Sequence, residues 1–204
     1  SVTITKYNGN QKRIAIPSVI DNMPVVELGT ECFIETDVEY VWIPASVNKI
    51  GAKCFLGVIT LKDVVFEDVS AISEIGNRAF AETPFENKNN IDTSGAVVIN
   101  KILIRHFGSG NIVLSDDIMQ IAGGAFWDRQ DITSVTINSG CIKINTNAFC
   151  QIRFLEKVYI PDSVTTIADD AFVNCNEQFY IQCNEESAAR HFAEKNNISY
   201  RTTD

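Results

Sequence analysis

Histidine is scarce in this chain. His106 and His191 are the only two among 204 residues, and neither lies in a metal-binding or nucleophile motif. The six cysteines (32, 54, 141, 150, 175 and 183) include no Cys-x-x-Cys pair, which removes the sequence basis for a zinc site. Gly108-Ser109-Gly110 is not a nucleophile elbow, and no glycine-rich phosphate loop is found. Catalytic residues, a metal and a cofactor are therefore not expected. No apolar run approaches the roughly 18 residues that a membrane-spanning helix requires, so direct membrane insertion of this chain is not expected. Basic runs are missing too. The longest is Lys12-Arg13, in a chain with 17 basic and 26 acidic residues and a net charge of −9, which argues against nucleic acid and anionic membranes as partners. The first ten residues, SVTITKYNGN, contain neither an initiator Met nor a signal-peptide pattern. The chain is thus expected to have been trimmed, with any targeting signal or anchor lying outside it.

What the chain does have is a repeat. Six segments align on a Phe: LGTECF (28–33), IGAKCF (50–55), IGNRAF (75–80), IAGGAF (121–126), INTNAF (144–149) and IADDAF (167–172). The Phe positions 33, 55, 80, 126, 149 and 172 are separated by 22, 25, 46, 23 and 23 residues, and the 46 equals two periods of 23. Upstream of each Phe stands a short alternating run: Ile14-x-Ile16, Val41-x-Ile43, Val64-x-Phe66, Ile112-x-Leu114, Val135-x-Ile137 and Val158-x-Ile160. A period-two triplet of this length reads as a brief strand.

A unit of about 23 residues holding one short strand cannot enclose a core by itself. Stacked in register, such units bury their repeated apolar positions as continuous columns. Roughly seven coils at about 4.8 Å per strand give a parallel sheet on the order of 35 Å long. The recurring Phe is expected to form an internal ladder at aromatic-contact spacing. The residue after the Ile is Gly29, Gly51 and Gly76 in three coils but Ala122, Asn145 and Ala168 in the others, which points to a need for small size and not for a left-handed turn. Pro17, Pro44 and Pro161 follow the triplet in three coils and mark the strand's end.

These residues resemble the BspA-type, or Treponema-pallidum-type, leucine-rich repeats of bacterial surface proteins. IPDSVTTIADDAFVNC (160–175) is similar to that family's run of strand, Pro, Ser-Val-Thr, Ile, Ala-Phe and trailing Cys, and YNGNQKRIAIPSVIDNMPVVELGTECF (7–33) is similar to how such arrays begin, with a longer turn in the first coil. Few coils carry the full Pro-x-Ser-Val form, and 81–111 lacks the motif. The resemblance implies a leucine-rich-repeat solenoid, α/β or mainly β. It would be a right-handed coil with a parallel sheet on one side and short helices or turns on the other.

The chain is expected to be a single such domain, 1–204. A first half-array covers 7–80, an insert or hairpin 81–111, a second half-array 112–175 and a C-terminal cap 176–204. Within the insert, 97–105 reads as a strand pair turning near Asn100-Lys101, although the spacing is also what one degenerate coil would leave. In the cap, 185–195 has a helical pattern with Ala188, Ala189, Phe192 and Ala193 on one side and Asn196-Asn197 as a stop.

Cys32 and Cys54 occupy the column that Ala79, Ala125, Ala148 and Ala171 fill elsewhere, so they are expected to be small buried thiols. Neighbouring coils bring them within disulfide range but with parallel side-chain vectors that suit the bond poorly. Asp116-Asp117 and Asp169-Asp170 fall in turns and are read as solvated charge. If the ends of each triplet point inward, the middle residues form an outward row: Ala15, Trp42, Val65, Val113, Thr136 and Tyr159, with Tyr180 in the terminal strand and Tyr40 and Lys157 flanking. From this row Trp42, Tyr40, Tyr159, Tyr180 and Thr136 are the candidate binding residues, because aromatic residues on a rigid face are enriched in contact hot spots.

Two function classes follow. The first, favoured by the resemblance, is a non-enzymatic, secreted or cell-surface adhesion and protein-interaction module of bacteria that binds a protein or glycan through its sheet face. The alternative is a carbohydrate-active solenoid, a polysaccharide lyase or hydrolase. It would require clustered Asp, Arg or Lys on the face, and the middle positions hold none.

Overall fold

A computed structural model describes residues 1–88 and 92–203. The backbone is built mainly from short parallel strands, and its contacts divide it into two compact units. Unit 1 comprises 1–93 with 97–100, and unit 2 comprises 94–96 with 101–204.

Each coil contributes two strands, not one. In unit 1 the expected triplets form a face sheet of Arg13–Ala15, Tyr40–Ile43 and Asp63–Phe66, all parallel. The residues just before Gly29, Gly51 and Gly76 form a second, back sheet of Met23–Leu28, Lys49–Ile50 and Glu74–Ile75, which the N-terminal strand Val2–Ile4 extends. The longer turn of the first coil is a hairpin, in which Val19–Ile20 pairs antiparallel with Met23–Leu28 across Asp21 and Asn22, both at left-handed φ. In unit 2 the face sheet runs Gly110–Val113, Ile132–Thr136, Lys157–Tyr159, Tyr180–Cys183 and Ser199–Thr202. Its back sheet runs from Ile102–His106 through Gln120–Ile121 and Lys143–Ile144 to Thr166–Ile167. Two-residue strands carry too little period-two signal to be read from sequence. Here they exist because the neighbouring coil presents the same two residues in register.

Between the sheets lies the aromatic ladder. In unit 1 Phe33, Phe55 and Phe80 stack at centroid distances of 4.7 and 5.3 Å with interplanar angles of 10° and 8°. In unit 2 Phe126, Phe149 and Phe172 stack at 4.7 Å each, with angles of 7° and 3°. Each ladder is closed by rings from outside the repeat. Tyr7 lies 5.4 Å from Phe33, and Phe85, on the short helix Pro84–Lys88, lies 5.1 Å from Phe80. His106 stacks 5.4 Å from Phe126, while Phe179 and Phe192 lie 5.4 and 5.8 Å from Phe172. An end ring has only one repeat neighbour, so these five aromatics supply the contacts that a further coil would otherwise make.

Within the segment expected to be an insert, the strand pair read at 97–105 is present and extends one residue further at each end. Ala96–Ile99 and Ile102–His106 are strands, and Asn100 and Lys101 between them both have left-handed φ, 43° and 61°. Leu103 is in register with Ile121, and His106 occupies the place of the ladder Phe, so Ile102–His106 serves unit 2 as a rung of its back sheet. The polar stretch at 89–91 lies outside the described residues. At the C-terminal end the helix is Ala188–Lys195, three residues shorter at its start than expected. Ser187 caps it by accepting from the Arg190 N–H, and Asn196 and Asn197 end it. Ala189, Phe192 and Ala193 are buried, as the pattern required, and Ala188 is half-buried. The strand Ser199–Thr202 was not foreseen.

The small residue after the Ile behaves as read. None of Gly29, Gly51 and Gly76 has left-handed φ, and a Cβ on Gly51 or Gly76 would run into backbone of the preceding coil. The left-handed positions lie elsewhere, and they repeat. Two residues after every ladder Phe the chain has positive φ: Glu35, Gly57, Glu82, Asp128, Gln151 and Asn174. Two residues before it, Glu31, Lys53, Arg78, Gly124 and Asn147 do the same. Each such non-glycine residue costs roughly 1–2 kcal/mol against its Cβ. Glu35 is exposed, so Glu35→Gly is expected to stabilise the protein by about 1 kcal/mol. Chemical denaturation checks this, and a midpoint that falls would refute it.

Candidate functional site

The face sheet of unit 1 presents two outward rows, because Val41, Ile43 and Val64 turn inward and are buried. Ladder pairing aligns Arg13, Tyr40 and Asp63 in one row and Ala15, Trp42 and Val65 in the other. Tyr40 and Trp42 therefore stand together on one strand. Trp42 is 36% exposed and Val65 49%. Tyr40 is not bare: the Arg13 guanidinium stacks 4.0 Å over its ring, and the Lys62 ammonium lies 5.9 Å away. Beside it Glu39 accepts from Lys62 at 2.6 Å and Lys12 at 2.9 Å, and these hydrogen bonds hold its carboxyl down at about 2.

Unit 2 also presents two rows. One holds Asn111, Ser134, Lys157, Tyr180 and Ser199, and the other Val113, Thr136, Tyr159, Gln182 and Arg201. Thr136 and Tyr159 are direct ladder neighbours, as the sequence row implied. Tyr180 faces outward but belongs to the other row, next to Lys157. The residue that continues the Thr136 and Tyr159 row is Gln182. The sequence reading placed the terminal strand two residues early because Phe179-Tyr180-Ile181 mimics the apolar triplet, whereas the strand is Tyr180–Cys183 with Ile181 and Cys183 inward. Arg201, on the unforeseen strand, stacks its guanidinium 3.9 Å over Tyr180. Asn111 accepts from Thr133 and Ser134 hydroxyls at 3.0 and 2.8 Å. The alternating Ser-Tyr-Arg-Thr run was the signal that could have revealed Arg201.

The polar groups singled out in the sequence outside this face are engaged in structure. His106 is 1% exposed, and its Nδ1 accepts from the Gly108 N–H at 3.0 Å. Asp169 meets Lys195 at 2.7 Å, and Asp117 accepts from the Ser115 hydroxyl at 2.5 Å, so these acidic pairs fasten turns. All six cysteines are free thiols, and Cys32 and Cys54 are fully buried in the Ala column. Burial pushes the Cys141 thiol up to about 11 and that of Cys175 to about 12, which suppresses thiolate chemistry. Cys175 donates to the Phe149 carbonyl at 2.9 Å. Among the described residues no group of three or more His, Cys, Asp or Glu side chains is arranged to hold a metal ion, and no helix is long and apolar enough to cross a membrane.

Coils with two parallel strands, a shared inward aromatic column and an outward sheet face define a leucine-rich-repeat solenoid protein. The chain belongs to the BspA-type leucine-rich repeat family, whose model matches residues 26–101 and 99–199 in 6 copies. No curated protein matches it. Among solved structures it is similar to the Treponema pallidum leucine-rich repeat protein, at 17% identity with a TM-score of 0.42 over 98% of this chain and 89% of that one. It is also similar to a leucine-rich cell surface protein of Faecalibacterium prausnitzii, at 18% identity with a TM-score of 0.39 over 99% and 90%. A leucine-rich repeat protein of Eubacterium ventriosum matches at 14% identity with a TM-score of 0.41 over 91% and 66%. The family is one of repeat proteins and not of known enzymes.

Proposed function

We propose that this protein is a non-enzymatic interaction module, displayed at or released from the bacterial surface, that binds a protein or glycan partner through its face sheets. The observation that carries this reading is the register of those sheets. Strand alternation sets Tyr40 and Trp42 outward on one strand in unit 1, and parallel pairing sets Thr136, Tyr159 and Tyr180 over three consecutive strands in unit 2, all on outward positions of rigid backbone. Large amphipathic side chains held this way lose little entropy on binding, which is the property that makes aromatic residues effective contact anchors. The back sheets offer no equivalent. The matching positions carry Glu27, Lys49 and Glu74 in unit 1, where Lys49 lies 3.7 and 3.4 Å from its two acidic neighbours, and Gln120, Lys143 and Thr166 in unit 2, with no aromatic residue in either row. The family's membership of bacterial surface proteins supports the location, and we assign the two half-arrays one common binding role.

The test compares the wild-type chain with a face variant, Trp42→Ala with Tyr159→Ala, and a back variant, Lys49→Ala with Lys143→Ala. Adsorption of labelled protein to immobilised extracellular-matrix components and to bacterial cells is measured. The face variant is expected to lose at least tenfold in affinity while the back variant does not, since hot-spot aromatics each contribute about 2 kcal/mol or more. Equal losses from both would reject the assignment.

A further inference from the structure

The face sheet of unit 2 differs in charge from the rest of the chain, and on the reading that this face is the binding surface, the difference selects a partner. Its outward rows hold Asn111, Ser134, Lys157, Tyr180 and Ser199, and Val113, Thr136, Tyr159, Gln182 and Arg201. Two of these residues are cationic and none is acidic, in a chain with 26 acidic and 17 basic residues. Lys157 makes no ion pair among the described residues. Arg201 is exposed and lies flat on Tyr180 at 3.9 Å, so stacking holds its plane while its in-plane donors stay available. Carboxylates at the strand ends are already held. Asp131 is paired with Arg129 at 2.9 Å, Glu185 with Arg190, and Asp162 accepts from Asn184 at 2.7 Å. Glu156 and Asp116 also border the rows, so an anion is favoured along the middle of the sheet and disfavoured across its strands.

We propose that unit 2 binds a uronic-acid polysaccharide laid along the stacking direction of this sheet, with Lys157 and Arg201 taking carboxylates, Tyr180 holding the Arg201 guanidinium in place and Tyr159 supporting a sugar ring. Three features favour this ligand. The two cations are separated by two ladder steps, about 10 Å, and by two residues along the strand, a sparse spacing that can engage non-adjacent carboxylates of a uronic-acid chain and does not call for a densely sulfated one. Amide and hydroxyl side chains at Asn111, Ser134, Thr136 and Gln182 offer donors and acceptors in rows, which match a chain of hydroxyl groups. Strand edges are open only at the two ends of the sheet, Gly110–Val113 and Ser199–Thr202, so a peptide could add there as a further strand but could not pair along the stacking direction, where the interior backbone is consumed by the ladder. The guanidinium fork of Arg201 and the ammonium of Lys157 make charge-assisted hydrogen bonds to carboxylates, and the Tyr159 ring presents an apolar surface with a polar rim.

Titration calorimetry of the full chain with polygalacturonate, dextran and poly-L-glutamate tests this, using wild type, K157Q with R201Q, and Thr136→Trp as a variant that obstructs the face. Wild type is expected to bind polygalacturonate and not dextran. Affinity should fall at least tenfold in the double variant, and also as salt shortens the Debye length from about 30 Å to about 8 Å. Absence of polygalacturonate binding, undiminished binding by the double variant, or equal binding of poly-L-glutamate would overturn the proposal. If the double variant binds unchanged and Thr136→Trp abolishes binding, the charge assignment fails while the face remains the binding surface. If neither variant changes binding, both fall.

Discussion

Phe149→Ala is expected to destabilise the protein by about 3–5 kcal/mol, the range for truncating a fully buried aromatic. Phe149 is 0% exposed, and rings flank it at 4.7 Å on both sides, Phe126 and Phe172. The truncation therefore opens a void within a column that the coils above and below cannot close without abandoning their own register. A loss of this size lowers the melting temperature by roughly 10 °C for a chain of this length, at about 2–4 °C per kcal/mol. Phe149→Leu refills most of the volume and is expected to cost about 1–2 kcal/mol, which separates volume from ring stacking. Thermal unfolding followed by circular dichroism checks both. A melting curve for Phe149→Ala within a degree or two of wild type would show that the column does not carry the stability assigned to it.

Gly51→Val is expected to cost about 3 kcal/mol, the upper part of the range for overpacking a close-packed interior. A Cβ on Gly51 would meet the carbonyl carbon and oxygen of Gly29 and the Thr30 nitrogen, all of them backbone atoms of the preceding coil. Backbone held in a parallel ladder has no rotamer to change, so the strain must go into separating two coils. The same change at Gly57 serves as a contrast. That Cβ would meet nothing nearby, but the residue has φ of 69°, so its penalty is local strain and not coil separation. Urea unfolding distinguishes the two. Gly51→Val alone is expected to weaken protection of the Gly51 and Glu31 amides, which donate to the Leu28 and Ala52 carbonyls, against hydrogen exchange, and a Gly51→Val protein with wild-type midpoint and protection would refute the close-approach argument.

Some of the candidate site was legible before any coordinates. Trp42, Thr136 and Tyr159 followed from alternation alone, because one inward residue on each side of a strand position leaves only one direction for it. Tyr180 was found to face outward but assigned to the wrong row, since an apolar triplet of Phe, Tyr and Ile looks like a repeat strand whether or not the chain has shifted by two. Arg201, which completes the cationic rows, sits on a strand after the capping helix, where the repeat has ended and only the short Ser-Tyr-Arg-Thr alternation marks a strand. Arg13 over Tyr40 was out of reach. The two residues are 27 positions apart in sequence, and only ladder pairing makes them neighbours.

Repetition at a fixed spacing was sufficient to establish the stacking, the inward Phe column and the requirement for a small residue after each Ile, because each coil must present to the next what the next presents in turn. That mutual constraint writes itself into every copy. The second strand of each coil, the left-handed residues two places before and after the Phe, and the use of Tyr7, Phe85, His106 and Phe179 as ladder ends were decided only in three dimensions. A left-handed glutamate or glutamine has no distinguishing residue type, and a terminal ring has no neighbouring copy to match. Both arise from satisfying contacts between segments distant in sequence, where the repeat gives no instruction.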